Sequence, residues 1–172
     1  YEPFREDLLS MHKLALKLEE KRHERGSIDF DLDESEIRLN EKGIPVSVEI
    51  AQRRSANKMI EEFMLLANET VAEHFYWMEV PFLYRVHEKP ETEKIESLKI
   101  FLRSFGILLR GNRSSIHPRA VSNILEQVKG KPSENVVSSV TLRSMQKAYY
   151  STSCEGHFGL ALKYYCHFTS PI

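Results

Sequence analysis

The longest uninterrupted helical pattern in this 172-residue sequence covers residues 55–75, which contain neither glycine nor proline. It predicts a helix with Ser55 as its N-cap. The centre of this helix, residues 63–67, is apolar on nearly all sides, which is typical of a helix buried on several sides. Asn57, Glu61 and Asn68 follow one line along it, because they are spaced four and seven residues apart. A polar line on a buried helix should face a partner or a water-filled cavity.

Shorter patterns on both sides of this helix predict a helix-rich mixed α/β fold. Alternating apolar and polar residues, or short apolar runs, predict strands over residues 27–33, 36–40, 46–50 and 82–87. Apolar residues at helical spacing predict further helices over residues 5–25, 92–105, 117–128 and 134–150. No internal repeat or domain boundary interrupts these patterns. We therefore expect one α+β unit with a few short, mainly antiparallel strands.

Composition excludes several classes of protein. The 24 basic residues nearly balance the 25 acidic ones, so any site for a polyanion must be local. The two cysteines form no disulfide framework and suit a reducing compartment, which predicts a cytoplasmic protein. No apolar run is long enough for a membrane span, and the first residues do not resemble a signal peptide. Because the chain lacks an initial Met and stops abruptly, we expect it to be cut from a longer one.

Two possible metal motifs fail on spacing. A calcium loop needs Gly and Glu at its sixth and twelfth positions, where the aspartates of residues 29–33 are followed by Glu34 and Asn40. A zinc site near the C-terminus is disfavoured, because the adjacent residues Cys166 and His167 can hardly both bind one tetrahedral ion. Phosphate-binding loops, nucleophile elbows and dinucleotide fingerprints are also missing. The sequence therefore predicts no metal site of its own.

Five ordered blocks resemble the catalytic (RNB) domain of the RNase II and RNase R family of processive 3′-to-5′ exoribonucleases, with the best match to the RNase R branch. The blocks, which span nearly the whole chain, are residues 59–68 (MIEEFMLLAN), 82–90 (FLYRVHEKP), 142–145 (LRSM), 156–162 (GHFGLAL) and 167–172 (HFTSPI). The resemblance implies that residues 1–172 are part of one RNB domain.

For the parent protein, the resemblance implies hydrolysis of single-stranded RNA to nucleoside 5′-monophosphates with two Mg²⁺ ions. The family's aspartate cluster lies upstream of the region resembled here, and nothing in this chain matches it. The family also has flanking cold-shock and S1 RNA-binding domains. The chain is therefore expected to form part of the RNA-channel wall and to be inactive alone. Two alternatives stay open: a non-catalytic RNA-binding or scaffold module of the same fold, and a helix-rich interaction domain.

The resemblance also assigns RNA contacts to particular residues. Phe30 would stack on the 3′-terminal bases; the alternative is that it points inward with Ile28 and Leu32. Glu61 would accept a hydrogen bond from a ribose hydroxyl near the 3′ end. Its alternative is a buried ion pair with Lys58 or with an arginine brought close by the fold.

Further contacts are expected with phosphate and with the 3′ end. Arg85 and Arg143, the latter in a mid-helix position, could bind phosphate through their planar donors, whereas a surface ion pair is the commoner role of arginine. Thr169 and Ser170 would position the 3′ end, or would cap a following helix. Asn68 is expected to satisfy buried backbone groups.

Overall fold

Five α-helices and four short strands form the part of the chain that the structure, a computed structural model, describes: residues 2–30, 35–50, 54–111 and 116–169. A short 3₁₀ turn, Glu2–Phe4, precedes the helices, which are α1 (Arg5–Arg25), α2 (Ser55–Trp77), α3 (Thr92–Arg103), α4 (Pro118–Val128) and α5 (Glu134–Arg143). The strands are β1 (Ser35–Leu39), β2 (Pro45–Ile50), β3 (Tyr84–Val86) and β4 (Tyr149–Ser151). No helix in these ranges has both the length and the apolar character that a membrane crossing requires. The predicted α+β class is confirmed.

The strands form two antiparallel pairs, β1 with β2 and β3 with β4. The turn between β1 and β2 is organised by Asn40, whose side-chain oxygen accepts hydrogen bonds from the backbone N–H groups of Lys42 and Ile44, at 2.9 and 3.0 Å. Gly43 occupies this turn at φ +73°, a left-handed conformation that favours glycine. The strands predicted over residues 36–40 and 46–50 are therefore present and form a hairpin.

The β1–β2 hairpin has an apolar face and a polar face. Ile37 and Val48 lie opposite each other in the register, and Ile50, two residues further along β2, shares their face. On the other face Arg38 Nε donates to Glu49 Oε2 at 2.8 Å. Both strands are exposed along their whole length, so the described residues leave the apolar face uncovered.

Helices α1 and α2 pack against each other around a buried ion pair. Arg22 Nε lies 2.9 Å from Glu62 Oε1, and Arg22 also reaches Asp29 at 3.3 Å. The central residues 63–67 of α2 are half-buried or exposed, and Leu66 is 41% exposed. The prediction that the centre of α2 is buried on nearly all sides is therefore wrong for the described residues: α1 covers the side of Glu62, and β3 and the tail cover the side of Ala72, but neither covers Leu66.

Two apolar clusters hold the remaining elements together. The larger joins α3, α4 and α5 to the segment after α1 and to the tail, with Ile28, Leu98, Val121, Val137 and Phe158 among its buried members. The smaller joins α2 to β3 and the tail through Ala72, Tyr84, Val86 and Cys166. The tail, residues 154–169, thus contacts both clusters.

Two predicted elements are wrong. Residues 27–30 form no strand; instead the N–H of Ile28 donates to the carbonyl oxygen of Gly159 at 2.7 Å, which ties this segment to the tail. The helix predicted over residues 134–150 ends at Arg143, after which β4 pairs with β3. Arg143 is therefore the last residue of its helix rather than a mid-helix residue. The rest of the first predicted strand, residues 31–33, lies outside the described residues.

Helix boundaries at the other positions are close to prediction. Gly26 ends α1 in the left-handed conformation, at φ +94°. A side chain there would also be excluded by packing, because its Cβ would lie 2.7 Å from the Cβ of Arg119. At the start of α2 the N-cap is Arg54 rather than Ser55, and the Asn57 side chain accepts a hydrogen bond from the Arg54 N–H at 3.1 Å.

Candidate functional site

Asn68 joins helix α2 to the end of the described tail. Its Oδ1 accepts from the backbone N–H of Thr169 at 2.7 Å and lies 3.1 Å from the Thr169 hydroxyl. Its Nδ2 donates to the Thr169 carbonyl oxygen at 3.0 Å and to the Tyr165 hydroxyl at 3.3 Å. The residue is fully buried, so its amide satisfies groups that would otherwise be costly to bury. Asn68 therefore has the backbone-satisfying role predicted for it.

Glu61 lies close to this junction. It precedes Met64 by three residues on α2, and the Met64 carbonyl oxygen is 3.5 Å from the Thr169 hydroxyl. Burial raises the pKa of Tyr165, and the negative charge of Glu61 makes a smaller contribution in the same direction. Glu61 is half-buried. Two of the predicted RNA contacts thus lie near each other, Glu61 on α2 and Thr169 in the tail segment that contacts the next turn of that helix.

A buried ion pair with an arginine was the alternative role given for Glu61. In the structure this ion pair is formed by its neighbour, Glu62. Burial raises the pKa of Glu62, while the charge of Arg22 opposes that rise. Burial alone would lower the pKa of Arg22. The charges and hydrogen bonds of Glu62 and Asp29 outweigh this effect of burial, so the pKa of Arg22 is raised. Adjacent helix positions point about 100° apart, so the pattern alone could not identify which glutamate faces α1.

Arg85 lies on β3, beside the tail. It is half-buried on β3 opposite Tyr150 of β4, and its guanidinium carbon lies 4.6 Å from the centroid of the Tyr150 ring. The Tyr150 hydroxyl and His167 Nδ1 are 2.9 Å apart. The backbone N–H of Arg85 donates to the carbonyl oxygen of Tyr165 at 2.9 Å, which fixes β3 against the tail.

Two further imidazoles, His87 and His157, lie inward of the exposed His167. His87 and His157 have ring centroids 5.0 Å apart, and their Nδ1 atoms accept backbone N–H groups of Gly159 and Leu160 at 3.1 and 3.2 Å. Burial lowers the pKa of both rings, and it lowers the pKa of His157 to about 3. The pKa of the exposed His167 is also lowered, by desolvation and then by the charge of Arg85. These rings are therefore neutral at pH 7.

The remaining predicted contacts lie elsewhere. Phe30 is half-buried and packs against the larger apolar cluster next to the buried Ile28, which supports the inward-pointing alternative. Arg143 is exposed at the end of α5, and its side chain forms no hydrogen bond or ion pair with the described residues of the Arg85 cluster. Ser170 lies outside the described residues. The RNA-binding roles of all six residues stay predictions.

No metal site is formed within the described ranges. Three or more His, Cys, Asp or Glu side chains do not come together there in a way that could hold an ion. The residues present in this part of the chain therefore do not fit a magnesium centre.

A known domain family matches nearly the whole of this chain. The RNB domain family matches residues 2–172, so this chain belongs to the RNB domain family, which confirms the resemblance found in the sequence. The chain is 46% identical over 155 residues to Ribonuclease R 1 of Lactococcus lactis, covering 90% of this chain and 19% of that protein. It is also 46% identical over 167 residues to Ribonuclease R of Aquifex aeolicus, covering 97% of this chain and 24% of that protein.

A solved structure shows the same architecture. Mycoplasma genitalium RNase R in complex with ribose methylated single-stranded RNA superposes with a TM-score of 0.93 at 30% identity, over 100% of this chain and 27% of that one. The chain thus spans about a fifth to a quarter of the length of the curated relatives it matches.

Proposed function

We propose that this chain is part of a processive 3′-to-5′ exoribonuclease of the RNase R type, a cytoplasmic hydrolase of single-stranded RNA. The observation on which this rests is the match of the whole fold to M. genitalium RNase R, whose structure contains single-stranded RNA. The complete protein would release nucleoside 5′-monophosphates and would use Mg²⁺ bound by residues outside this chain. Flanking cold-shock and S1 domains would hold the RNA before it enters the channel.

Within that protein, the chain would form part of the channel wall and would be inactive alone. The Asn68 junction supports this role, because it places Thr169 beside the helix that bears Glu61. A half-buried carboxylate is a suitable acceptor for a ribose 2′-hydroxyl, the group that distinguishes RNA from DNA. Thr169 and Ser170 would then position the 3′ end.

The other contacts would act on the rest of the strand. Arg85, held against an aromatic ring, would bind phosphate, and Arg143 would do so at a separate position on the surface. Phe30 would stack on a terminal base, which requires its ring to be accessible from the channel as well as packed on the core.

The test compares this chain with the complete gene product on 5′-labelled single-stranded RNA, with Mg²⁺ or with a chelator. We expect the complete protein to shorten the RNA stepwise from its 3′ end only with Mg²⁺, and this chain to leave it intact. Binding without degradation by the complete protein would instead identify a non-catalytic RNA-binding module. Neither binding nor degradation would identify an interaction domain and would refute the proposal.

A further inference from the structure

We infer that Arg85, Tyr150 and His167 form a phosphate-binding subsite for single-stranded RNA, in which Tyr150 is a positioning residue for the Arg85 guanidinium. This inference rests on the proposed function and adds a specific contact to it. Its ligand is a phosphodiester of the RNA backbone.

The paired strands hold the arginine over the ring. Arg85 and Tyr150 are directly opposite in the antiparallel β3–β4 register, so their side chains share one face of that pair. At 4.6 Å from the ring centroid, the guanidinium is within the range of a cation–π contact. Such a contact uses the charge of the guanidinium and leaves N–H donors available for a second partner.

Among the described residues, no carboxylate forms an ion pair with Arg85. Three other arginines are paired: Arg22 with Glu62, Arg25 with Glu69, and Arg38 with Glu49. The charge of Arg85 helps to lower the pKa values of His87, His157 and His167, after desolvation as the main cause in each case. Neutral imidazoles provide no counter-charge, so a half-buried cation is left for an external anion.

His167 holds the Tyr150 side chain in position through its hydroxyl and its ring. Its hydroxyl lies 2.9 Å from His167 Nδ1, and the two rings meet edge to face with centroids 5.6 Å apart. Both residues are exposed, Tyr150 by 53%, so a strand of RNA can reach the arginine beside them. His167 precedes Thr169 by two residues, which places the subsite next to the segment predicted to hold the 3′ end.

A phosphodiester suits this arrangement. The planar donors of a guanidinium can bind two phosphate oxygens together, and an aromatic contact limits the orientations that the guanidinium can adopt. Binding of one backbone phosphate releases counterions, so that each contact adds about −0.7 to the slope of log K against log salt for a single strand. This slope measures phosphate contacts separately from loss of fold.

The experiment measures affinity of the complete protein for fluorescent single-stranded RNA over a series of salt concentrations, with a chelator present to prevent degradation. Arg85→Gln should weaken binding about tenfold and make the slope shallower by about 0.7. Tyr150→Leu should change the slope equally, and the double variant should show no further change. Tyr150→Phe, which loses the hydroxyl but keeps the ring and its edge-to-face contact with His167, should retain the wild-type slope. Arg38→Gln, on the exposed hairpin, serves as the matched control with an unchanged slope.

Several results would overturn the subsite. An unchanged slope in Arg85→Gln, with normal wild-type binding, would show that Arg85 contacts no phosphate. Weaker binding by Tyr150→Leu at an unchanged slope, or additive effects in the double variant, would show that Tyr150 has a structural role only. A wild-type protein that does not bind RNA would refute the proposed function together with the subsite, so the two failures are distinguishable.

Discussion

The Asn68 side chain and the Thr169 backbone form a reciprocal pair of hydrogen bonds, 2.7 and 3.0 Å long, between residues 101 positions apart. One amide thereby satisfies both the N–H and the carbonyl group of Thr169. Because Asn68 lies on α2, this helix fixes the end of the tail as well as the position of Glu61. The relative placement of the two predicted RNA contacts therefore depends in large part on this buried side chain.

Asn68→Ala should destabilise the chain by at least about 2 kcal/mol, because each buried polar group left without a partner costs about 1–3 kcal/mol. Urea denaturation measures the loss. Asn57→Ala is the matched control on the same helix, because Asn57 is exposed and accepts a single backbone hydrogen bond from Arg54. It should cost about 1 kcal/mol. Equal losses in the two variants would contradict the importance of the junction.

Removing one member of the buried pair between α1 and α2 should cost about 3–5 kcal/mol, because the other charge stays buried without its main partner. Glu62→Gln and Arg22→Met test this in urea denaturation, and the double variant should recover part of the loss. The exposed pair Arg38–Glu49, at 2.8 Å, is the control. Its disruption should cost less than about 1 kcal/mol. Similar costs for both pairs would argue against burial as the cause.

Acid should destabilise the folded chain partly through His157. Its pKa is about 3 in the folded state, because burial and then the charges of His87, Arg85 and His167 lower it from 6.5. Between these two values the unfolded state binds a proton that the folded state does not, so stability falls as the pH falls through this window. The slope is at most about 1.4 kcal/mol per pH unit.

His157→Gln removes this titration. Unfolding free energies measured in urea from pH 7 to pH 4 should therefore depend less steeply on pH in the variant than in the wild type, whatever their absolute difference. Parallel curves would show that His157 becomes protonated in the folded state as readily as in the unfolded state.

Phe30→Ala should destabilise the fold by about 1–3 kcal/mol, less than the cost for a fully buried phenylalanine. Phe101→Ala is its matched control, because both rings are half-buried against the larger apolar cluster. If Phe30 also stacks on a base, Phe30→Ala in the complete protein should lose a further 1–3 kcal/mol or so of RNA-binding free energy that Phe101→Ala retains. Equal RNA affinities of the two variants would leave Phe30 with its packing role alone.

Glu61→Ala in the complete protein should narrow the preference for RNA over DNA, because the acceptor for the ribose 2′-hydroxyl is lost. Binding of matched RNA and DNA strands, with a chelator present, measures the ratio. Glu73→Ala, an exposed change on the same helix, should leave it unaltered. A ratio that stays at the wild-type value in Glu61→Ala would refute the contact.

Local pattern was enough to predict the two long helices, because their boundaries depend on residues near in sequence. It failed for residues 144–150, where a local apolar pattern continues but β4 instead pairs with β3, far away in sequence. The contact of Arg85 with Tyr150 could not be predicted for the same reason. Family resemblance selected Arg85 and Thr169, but only tertiary packing shows that His167 and Asn68 lie beside them.

The turn of the β1–β2 hairpin has a consequence for that element as a whole. Asn40 and Gly43 fix the turn, and the turn fixes the pairing register of the two strands. The Ile and Val side chains therefore share one face of the hairpin even though no other element packs on that face within the described residues. If β2 slipped by one residue against β1, its apolar side chains would move to the face that carries Arg38, and Glu49 would move to the apolar face. The separation of apolar and polar side chains onto two faces is thus an intrinsic property of the hairpin sequence. Shortening the turn would change the register and mix the two faces, even if every strand residue were kept.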